Sequence, residues 1–392
     1  MLDNALKILR EFDEHSYKAY IVGGFVRDYI LGSESKDIDI TTNATPKEIK
    51  EIFLDSCLPN DDYGSVIVIK NGIRYEITTF RRENNYIDHR KPSEVHYIDE
   101  LYPDLLRRDF VINTLCMDKD GNIVDYLGGK DDIDHKIIRT VGDAFFKFQE
   151  DSLRILRAIR FATILDFDLS QSVKDAIVYS KSYVRRLTYY RKKEELDKIF
   201  NCPNRDKGIQ FLLEFGLDEE LELSNLDKVL YSQVNSSLAI WSMLDVVDKY
   251  PFSKNEVEII ENINEAMQYN NLDPMALYRY GLYVSSCAGV LKGLDLKHIN
   301  ESYSNLVIKC RDDIDIDSNY VVINAKKEEE SSSEEHNYKK SEFRYGDFTR
   351  TIYFPEEINV DKTEASLNDG ILKIKAPKKQ VTGENKKKLA IK

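Results

Sequence analysis

The chain is poor in cysteine, carries one tryptophan and has no long apolar run, and each scarcity narrows what it can be. Its five cysteines, Cys57, Cys116, Cys202, Cys287 and Cys310, include no Cys-x-x-Cys pair. That excludes a disulfide framework and a thiolate zinc site, and it fits a reducing compartment. No apolar stretch approaches the ~18 residues of a membrane span. Met1 to Tyr17 sets charges between Leu2, Leu6, Leu9 and Phe12 at helical spacing, unlike a secretion signal. A soluble, cytoplasmic protein with no membrane partner is expected. At 392 residues with 42% hydrophobic content, the chain calls for linked modules rather than one core.

Basic charge is also in deficit, with a net charge of −13. Residues 305–392 balance 17 basic against 17 acidic side chains, so the excess lies in residues 1–304, with 39 basic and 52 acidic. A nucleic-acid surface there must be a local patch. The best candidate is Arg154 to Lys193, which holds Arg157, Arg160, Arg185, Arg186, Arg191 and Lys192.

Tyr20-Ile21-Val22 reads as a buried strand, Gly23-Gly24 as a turn, and Phe25 to Leu31 as a helix stopped by Gly32. Lys36 to Thr41 reads as a second strand whose alternation sends Asp37 and Asp39 to one face and Ile38 and Ile40 to the other. Asn71-Gly72 between Val66–Lys70 and Ile73–Phe80 marks a tight hairpin. From Phe145 to about Asn300 the apolar period is helical. Lys326 to Glu335 is a polar run with nothing to bury, expected as a solvated loop or linker. Strand-like alternation returns over Phe343–Ile352 and Ile371–Lys375, with a turn at Asn368-Asp369-Gly370. No internal repeat occurs. The expected fold class is α+β: a small mixed β-sheet head with helices over 1–140, an all-α neck over 141–200, a helical body over 201–311, and a β-rich module over 312–392.

Two carboxylates at i, i+2 on a strand can hold Mg²⁺, a hard cation that completes its octahedron with phosphates and water. Such metals align a hydroxyl with an α-phosphate and neutralise a leaving pyrophosphate. Alone, Asp-Ile-Asp is equally the mark of a solvated strand face. Upstream lies Gly23-Gly24-Phe25-Val26-Arg27-Asp28, where backbone N–H groups at Gly24 can approach a triphosphate and Arg27 adds a forked donor. Glu76, on the second hairpin strand with Arg74 and Thr78 on its face, is a candidate third acid or an exposed structural glutamate. Asp151 and Arg154, one turn apart on a helix, form an acceptor and a donor. Cytosine and adenine present an amino donor beside a ring acceptor; uracil and guanine present the reverse. The pair would take C or A, at a penalty of roughly 1–3 kcal/mol per buried group left unpaired by a wrong base.

In Gly-Gly-Phe-Val-Arg-Asp, Asp37-Ile38-Asp39-Ile40-Thr41-Thr42, Arg107-Arg108-Asp109-Phe110 and Glu150-Asp151-Ser152-Leu153-Arg154, the chain resembles the class II tRNA nucleotidyltransferases, that is, CCA-adding enzymes and bacterial poly(A) polymerases. The likeness is continuous from Tyr20 to about Phe161. It implies a nucleotidyltransferase head in which Arg108 meets the triphosphate, Asp109 orients an arginine, and Arg157 and Arg160 contact the nucleotide. Arg81 to Val95 resembles the family's flexible loop. Leu187 to Leu196 aligns loosely with a further motif, in which Arg191, Glu195 and Leu196 fit and Tyr190 stands where glutamate is expected.

From about Asp312 the chain resembles the α-crystallin domain of small heat-shock proteins, through Asn319 to Glu328, Tyr338 to Arg350, Phe354-Pro355-Glu356, Ala365 to Leu372 and the terminal Leu389-Ala390-Ile391. This part is expected as a partial β-sandwich. The nucleotidyltransferase body looks cut short near 300–312, and Ile308 to Asp313 fits either parent. The leading expectation is CMP and AMP addition from CTP and ATP to the 3′ end of tRNA. A poly(A), A-only or CC-only enzyme shares the same motifs. Expectations of other classes are a chaperone or homo-oligomerisation module through residues 312–392, or a non-catalytic RNA-binding remnant.

Overall fold

A computed structural model of the chain describes residues 1–35, 37–54, 57–59, 65–87, 91–230, 232–234, 236–304, 313–317, 320–335, 338–353, 357–368 and 371–379. These divide into two units, Met1–Glu261 and Asn262–Lys392. The first opens with α1 (Leu2–Glu14), which buries Ala5, Ile8, Leu9 and Phe12 at i, i+3, i+4 and i+7. Strand β1 (Ala19–Val22) runs through Gly23, at φ 83°, into α2 (Gly24–Ile30). That backbone conformation is open to glycine at no steric cost. Strand β2 (Asp39–Thr42) is followed by α3 (Pro46–Ile52), started by a capping box between Thr45 and Glu48 and by Pro46 at its first position.

Strand β3 (Cys57–Pro59), β4 (Ser65–Lys70) and β5 (Ile73–Thr79) follow, with Asn71 at φ 55° and Gly72 at φ 76° forming the expected tight turn. Two strands lie within the stretch expected as a loop over 81–95: β6 (Arg81–Ile87) pairs antiparallel with β7 (Lys91–Tyr97). Their backbone groups satisfy one another across the ladder, which a loop would leave to water. After α4 (Leu101–Leu106) come β8 (Cys116–Met117) and β9 (Ile123–Val124), completing a seven-stranded mixed sheet of order β3-β4-β5-β2-β1-β8-β9. The pairing of β2 with β5 is parallel and its other pairings are antiparallel.

Register sorts the two faces. Ile21, Ile40 and Ile77 lie opposite one another and share the main core with α1. Val22, Asp39 and Glu76 form the neighbouring row on the other face, where Val22, Cys116 and Phe80 pack with Leu101 and Leu105 of α4. The second strand begins three residues later than its alternation suggests, because the ladders from β1 and β5 both end at Asp39. The alternation itself persists: Ile38 and Ile40 are buried while Asp37 and Asp39 are exposed.

Helix α5 (Gly129–Asp134) and β10 (Ile137–Ile138) lead into the helical part: α6 (Ala144–Glu150), α7 (Leu153–Ile164), α8 (Gln171–Ser180), α9 (Tyr189–Phe200) and α10 (Arg205–Glu214). One strand interrupts it, since β11 (Asp168–Leu169) pairs parallel with β10. Shorter helices α11 (Leu217–Leu221), α12 (Leu226–Val229) and α13 (Ser237–Met243) follow, then α14 (Lys254–Ala266). One apolar cluster runs from Ala5 to Ile260, crossing the expected boundary near residue 140. Trp241, fully buried, donates its indole N–H to Asp197 at 2.7 Å.

In the second unit, α15 (Pro274–Leu291) is capped by Asp273 and broken at Gly281, and α16 (Leu296–Ser304) ends before the β region. There β12 (Asp313–Ile316), β13 (Tyr320–Glu335) and β14 (Tyr338–Tyr353) form one antiparallel sheet, and β15 (Glu364–Asn368) pairs with β16 (Ile371–Lys375). Lys326 to Glu335 is therefore strand, not the expected linker. Each of its residues has a backbone partner in the ladder with Tyr338–Tyr353. The 305–312 junction, the 369–370 turn and the 389–391 tail lie outside the described residues. No helix among the described residues is long and apolar enough to cross a membrane.

Gly208 of α10 marks a tight helix contact. A Cβ there would stand 2.5 Å from Thr163 Oγ1 and 2.6 Å from Ile199 Cγ2, on stiff β-branched side chains of α7 and α9. Gly208→Ala is expected to cost about 1–3 kcal/mol, lowering the thermal midpoint by about 2–4 °C per kcal/mol. An unchanged midpoint would contradict this packing.

Candidate active site

Asp39 opens β2 directly beside Glu76 of β5, and Asp37 precedes it by two residues, on the same face of the alternation. All three carboxylates are exposed. Even so, protein atoms around Asp39 strip part of its hydration, and Glu76 and Asp37 add negative charge. Together these push its carboxyl above the usual range against the pull of Arg108. Among the described residues no three His, Cys, Asp or Glu side chains converge as a ready metal cage. Asp37 and Asp39 are thus an open pair of hard oxygen donors with Glu76 adjacent. Such a pair fits Mg²⁺, which keeps water or phosphate in its remaining positions.

The anion side is built by the Gly23 turn and Arg108. Gly23 donates its N–H to Leu115 O at 3.1 Å, and a Cβ at Gly23 would lie 3.8 Å from Arg108 Nη1. The guanidinium therefore sits against the turn, and it is close enough to Asp39 to lower its pKa. Helix α2 is only seven residues long, so its dipole adds little beyond the N–H groups themselves. Arg27, expected on the triphosphate, is buried with its fork engaged: Nε donates to Asp28 Oδ1 at 2.8 Å and Nη1 to Asn113 Oδ1 at 2.8 Å. In this structure it braces the turn.

Asp109 orients an arginine, as the resemblance implies. Arg157 Nε and Nη2 donate to its Oδ2 at 2.8 and 2.5 Å, while Phe110 N–H and Asn113 Nδ2 donate to Oδ1 at 2.8 and 3.2 Å. Burial works to raise this carboxyl, but the Arg157 charge and these donors outweigh it and bring the pKa to about 2.

Asp151 and Arg154 do not share a helix as expected. Asp151, at φ −143° and ψ 109°, closes α6, and its carboxylate accepts the Leu153 N–H at 3.0 Å at the start of α7. A short polar side chain can cap a new helix in this way, and that use competes with continuing the old one. Arg191 of α9 grips the same carboxylate with two donors at 3.2 and 3.4 Å. Arg154 is held by Glu150 Oε2 at 2.5 Å, Lys147 O at 3.0 Å and Arg107 O at 3.3 Å. Arg160 pairs with buried Glu195 at 3.2 Å and stacks 4.4 Å from the Phe161 ring centre, which Arg27 and Arg157 also approach at 5.2 and 5.4 Å. Tyr190, in the place of the expected glutamate, is 68% exposed.

Sequence reasoning passed over Asp104, Asn113 and Glu150 as partners of these arginines. Asp104 was within reach of it, since it precedes Arg107 and Arg108 by three and four residues, a helical pairing distance.

Comparison with known proteins follows the same division of the chain. Residues 19–139 match the poly A polymerase head domain, and residues 294–392 match the Hsp20/alpha crystallin family, starting earlier than the change of texture near 312. The CCA-adding enzyme of Lactobacillus johnsonii is 36% identical over 351 residues, covering 82% of this chain and 87% of that enzyme. That of Bacillus pumilus is 44% identical over 218 residues, covering 56% of this chain and 54% of its own length. The crystal structure of the Bacillus stearothermophilus CCA-adding enzyme in complex with CTP superposes with a TM-score of 0.68 at 28% identity, over 76% of this chain and 81% of that one.

The raised pKa of Asp39 has a definite sign. A group whose folded pKa exceeds its unfolded value favours folding while protonated, and that contribution is lost as pH rises through the raised value. At neutral pH the ionised Asp39 is a burden on the metal-free fold. Asp39→Asn is expected to raise the thermal midpoint of metal-free protein at pH 7, with the gain vanishing below the ordinary carboxylate range. A lowered midpoint at pH 7 would contradict the crowding of charge at this edge.

Proposed function

The chain belongs to the family of the CCA-adding enzymes, and from that membership we propose that it adds CMP and AMP, from CTP and ATP, to the 3′ end of tRNA without a nucleic-acid template. The observation that carries the reading is the meeting of Asp37, Asp39, Arg108 and the Gly23 turn at one edge of the sheet. Residues 1–140 are read as the head, 141–200 as the neck and 201–311 as the body, and the cytoplasm as the place of action.

Asp37 and Asp39 hold Mg²⁺, which when bound aligns the tRNA hydroxyl with the α-phosphate and neutralises the departing pyrophosphate, with Glu76 a third carboxylate at hand. Arg108 and the N–H groups at Gly24 receive the triphosphate, and Arg27 steadies the turn. Asp151 accepts from the exocyclic amino group of cytosine or adenine, and Arg154 donates to the neighbouring ring acceptor. Arg157 and Arg160 line the same ridge of α7. Because protein groups read the base edge, no template strand is needed, and uracil or guanine leaves buried groups unpaired.

A second reading applies to the C-terminal part alone. The match of residues 294–392 to the Hsp20/alpha crystallin family supports a chaperone or homo-oligomerisation role there. A monodisperse monomer by light scattering that fails to suppress client aggregation would remove it.

With tRNA lacking its 3′ CCA as primer, Asp37→Ala and Asp39→Ala are each expected to lower CMP incorporation by about a hundredfold to a thousandfold. Asp151→Ala is expected to cut the preference for CTP over UTP by about tenfold or more. Full activity of both metal-site variants, or unchanged discrimination in Asp151→Ala, would contradict the assignment.

A further inference from the structure

We infer that Asp104 is a positioning residue of the triphosphate subsite: a buried carboxylate that holds Arg108 against the Gly23 turn and locks it to the strand carrying Asp39. The inference rests on the reading above, in which Arg108 receives the nucleotide's phosphates.

Asp104 lies inside α4 and is fully buried. It caps nothing, so its charge needs another explanation. A lone carboxylate out of water costs several kcal/mol unless donors surround it. Donors arrive from three directions. Arg107 Nε reaches Oδ1 at 2.8 Å and Arg108 Nη2 reaches Oδ2 at 3.3 Å. The Arg81 N–H, at the first residue of β6, donates to Oδ1 at 3.1 Å, and Thr41 Oγ1, two residues past Asp39 on β2, lies 3.5 Å from Oδ2. Burial alone works to raise this carboxyl, but the two arginines and these donors outweigh it, so it stays ionised. One charge thus ties together the strand that bears the metal ligand, the arginine beside the glycine turn and the root of the β6–β7 hairpin.

Arg108 is aimed by this arrangement. Its Nη2 is on Asp104, its Nη1 lies toward Gly23, and its Nε is buried without a hydrogen-bond partner. An arginine held in this way through Nη2 presents Nη1 to an anion at the turn at little further entropic cost. Arg107 absorbs the other oxygen, so Asp104 does not compete for the whole guanidinium of Arg108. The triphosphate is common to CTP and ATP, so a fault here must weaken both nucleotides equally and leave base choice untouched. General loosening of the head would instead lower turnover, stability and base choice together.

A double-mutant cycle on the full chain tests this, with kcat and KM for CTP and ATP measured on tRNA primers awaiting C or A. Asp104→Asn and Arg108→Ala are each expected to raise both KM values by a similar factor, roughly tenfold to hundredfold, with kcat much less affected and the CTP-to-UTP preference unchanged. The double variant is expected to be no worse than Arg108→Ala. Multiplying effects in the double variant would overturn the positioning role while leaving the nucleotide-site reading intact. An unchanged KM in Arg108→Ala would overturn that reading and the inference with it. Should circular dichroism show Asp104→Asn unfolded, Asp104→Glu enters the same cycle under the same criteria.

Discussion

The Asp109–Arg157 pair joins the sheet-bearing part of the first unit to α7, the helix that carries Arg154, and much of the site's geometry depends on it. Arg157 comes from α7 and Asp109 from the segment after α4. Through Asn113 the same network reaches Arg27 and Asp28 at the glycine turn. The Asp109 carboxylate is largely buried, so removing Arg157 would leave its charge poorly compensated. The network therefore specifies how far α7 stands from the sheet edge that carries Asp39, a distance that hydrophobic packing alone would leave loosely determined.

Division of labour follows from which groups are already satisfied. Arg27, Arg157 and Arg160 have acids or amides on their forks and surround the Phe161 ring, so they behave as a frame. Arg108 has Nη1 beside the Gly23 turn, and Asp37 and Asp39 stand open to solvent. Asp151 is intermediate: one oxygen caps α7, yet Arg191 steadies the carboxylate from outside the helix pair. The break between α6 and α7 matters here, because a continuous helix would turn Asp151 along the helix side and away from its capping position.

How much could be read beforehand depended on whether the governing interaction was local. The alternation of Asp37, Ile38, Asp39 and Ile40 and the Asn71-Gly72 turn were legible, because burial period and positive φ are written in adjacent residues. The placement of Asp37 and Asp39 on one face was legible for the same reason. The point where β2 starts was not, since two partner strands decide it. Asp151's place at a helix break was hidden by good helical spacing on both sides. The Lys326–Glu335 run looked like linker because it has nothing to bury, and only its pairing with Tyr338–Tyr353 makes it strand. Glu195 and Asn113 gained their meaning from arginines 35 and 86 residues away, beyond any local pattern.

Two modules of different descent thus share one chain, and the activity rests on the first. The most direct measurement is to incubate the full chain with tRNA ending at the discriminator base and all four nucleoside triphosphates, then sequence the 3′ ends. The account predicts products ending in C, CC and finally CCA, without U or G and without further extension. Unextended ends, tracts of A alone, or U and G incorporated as readily as C would contradict it.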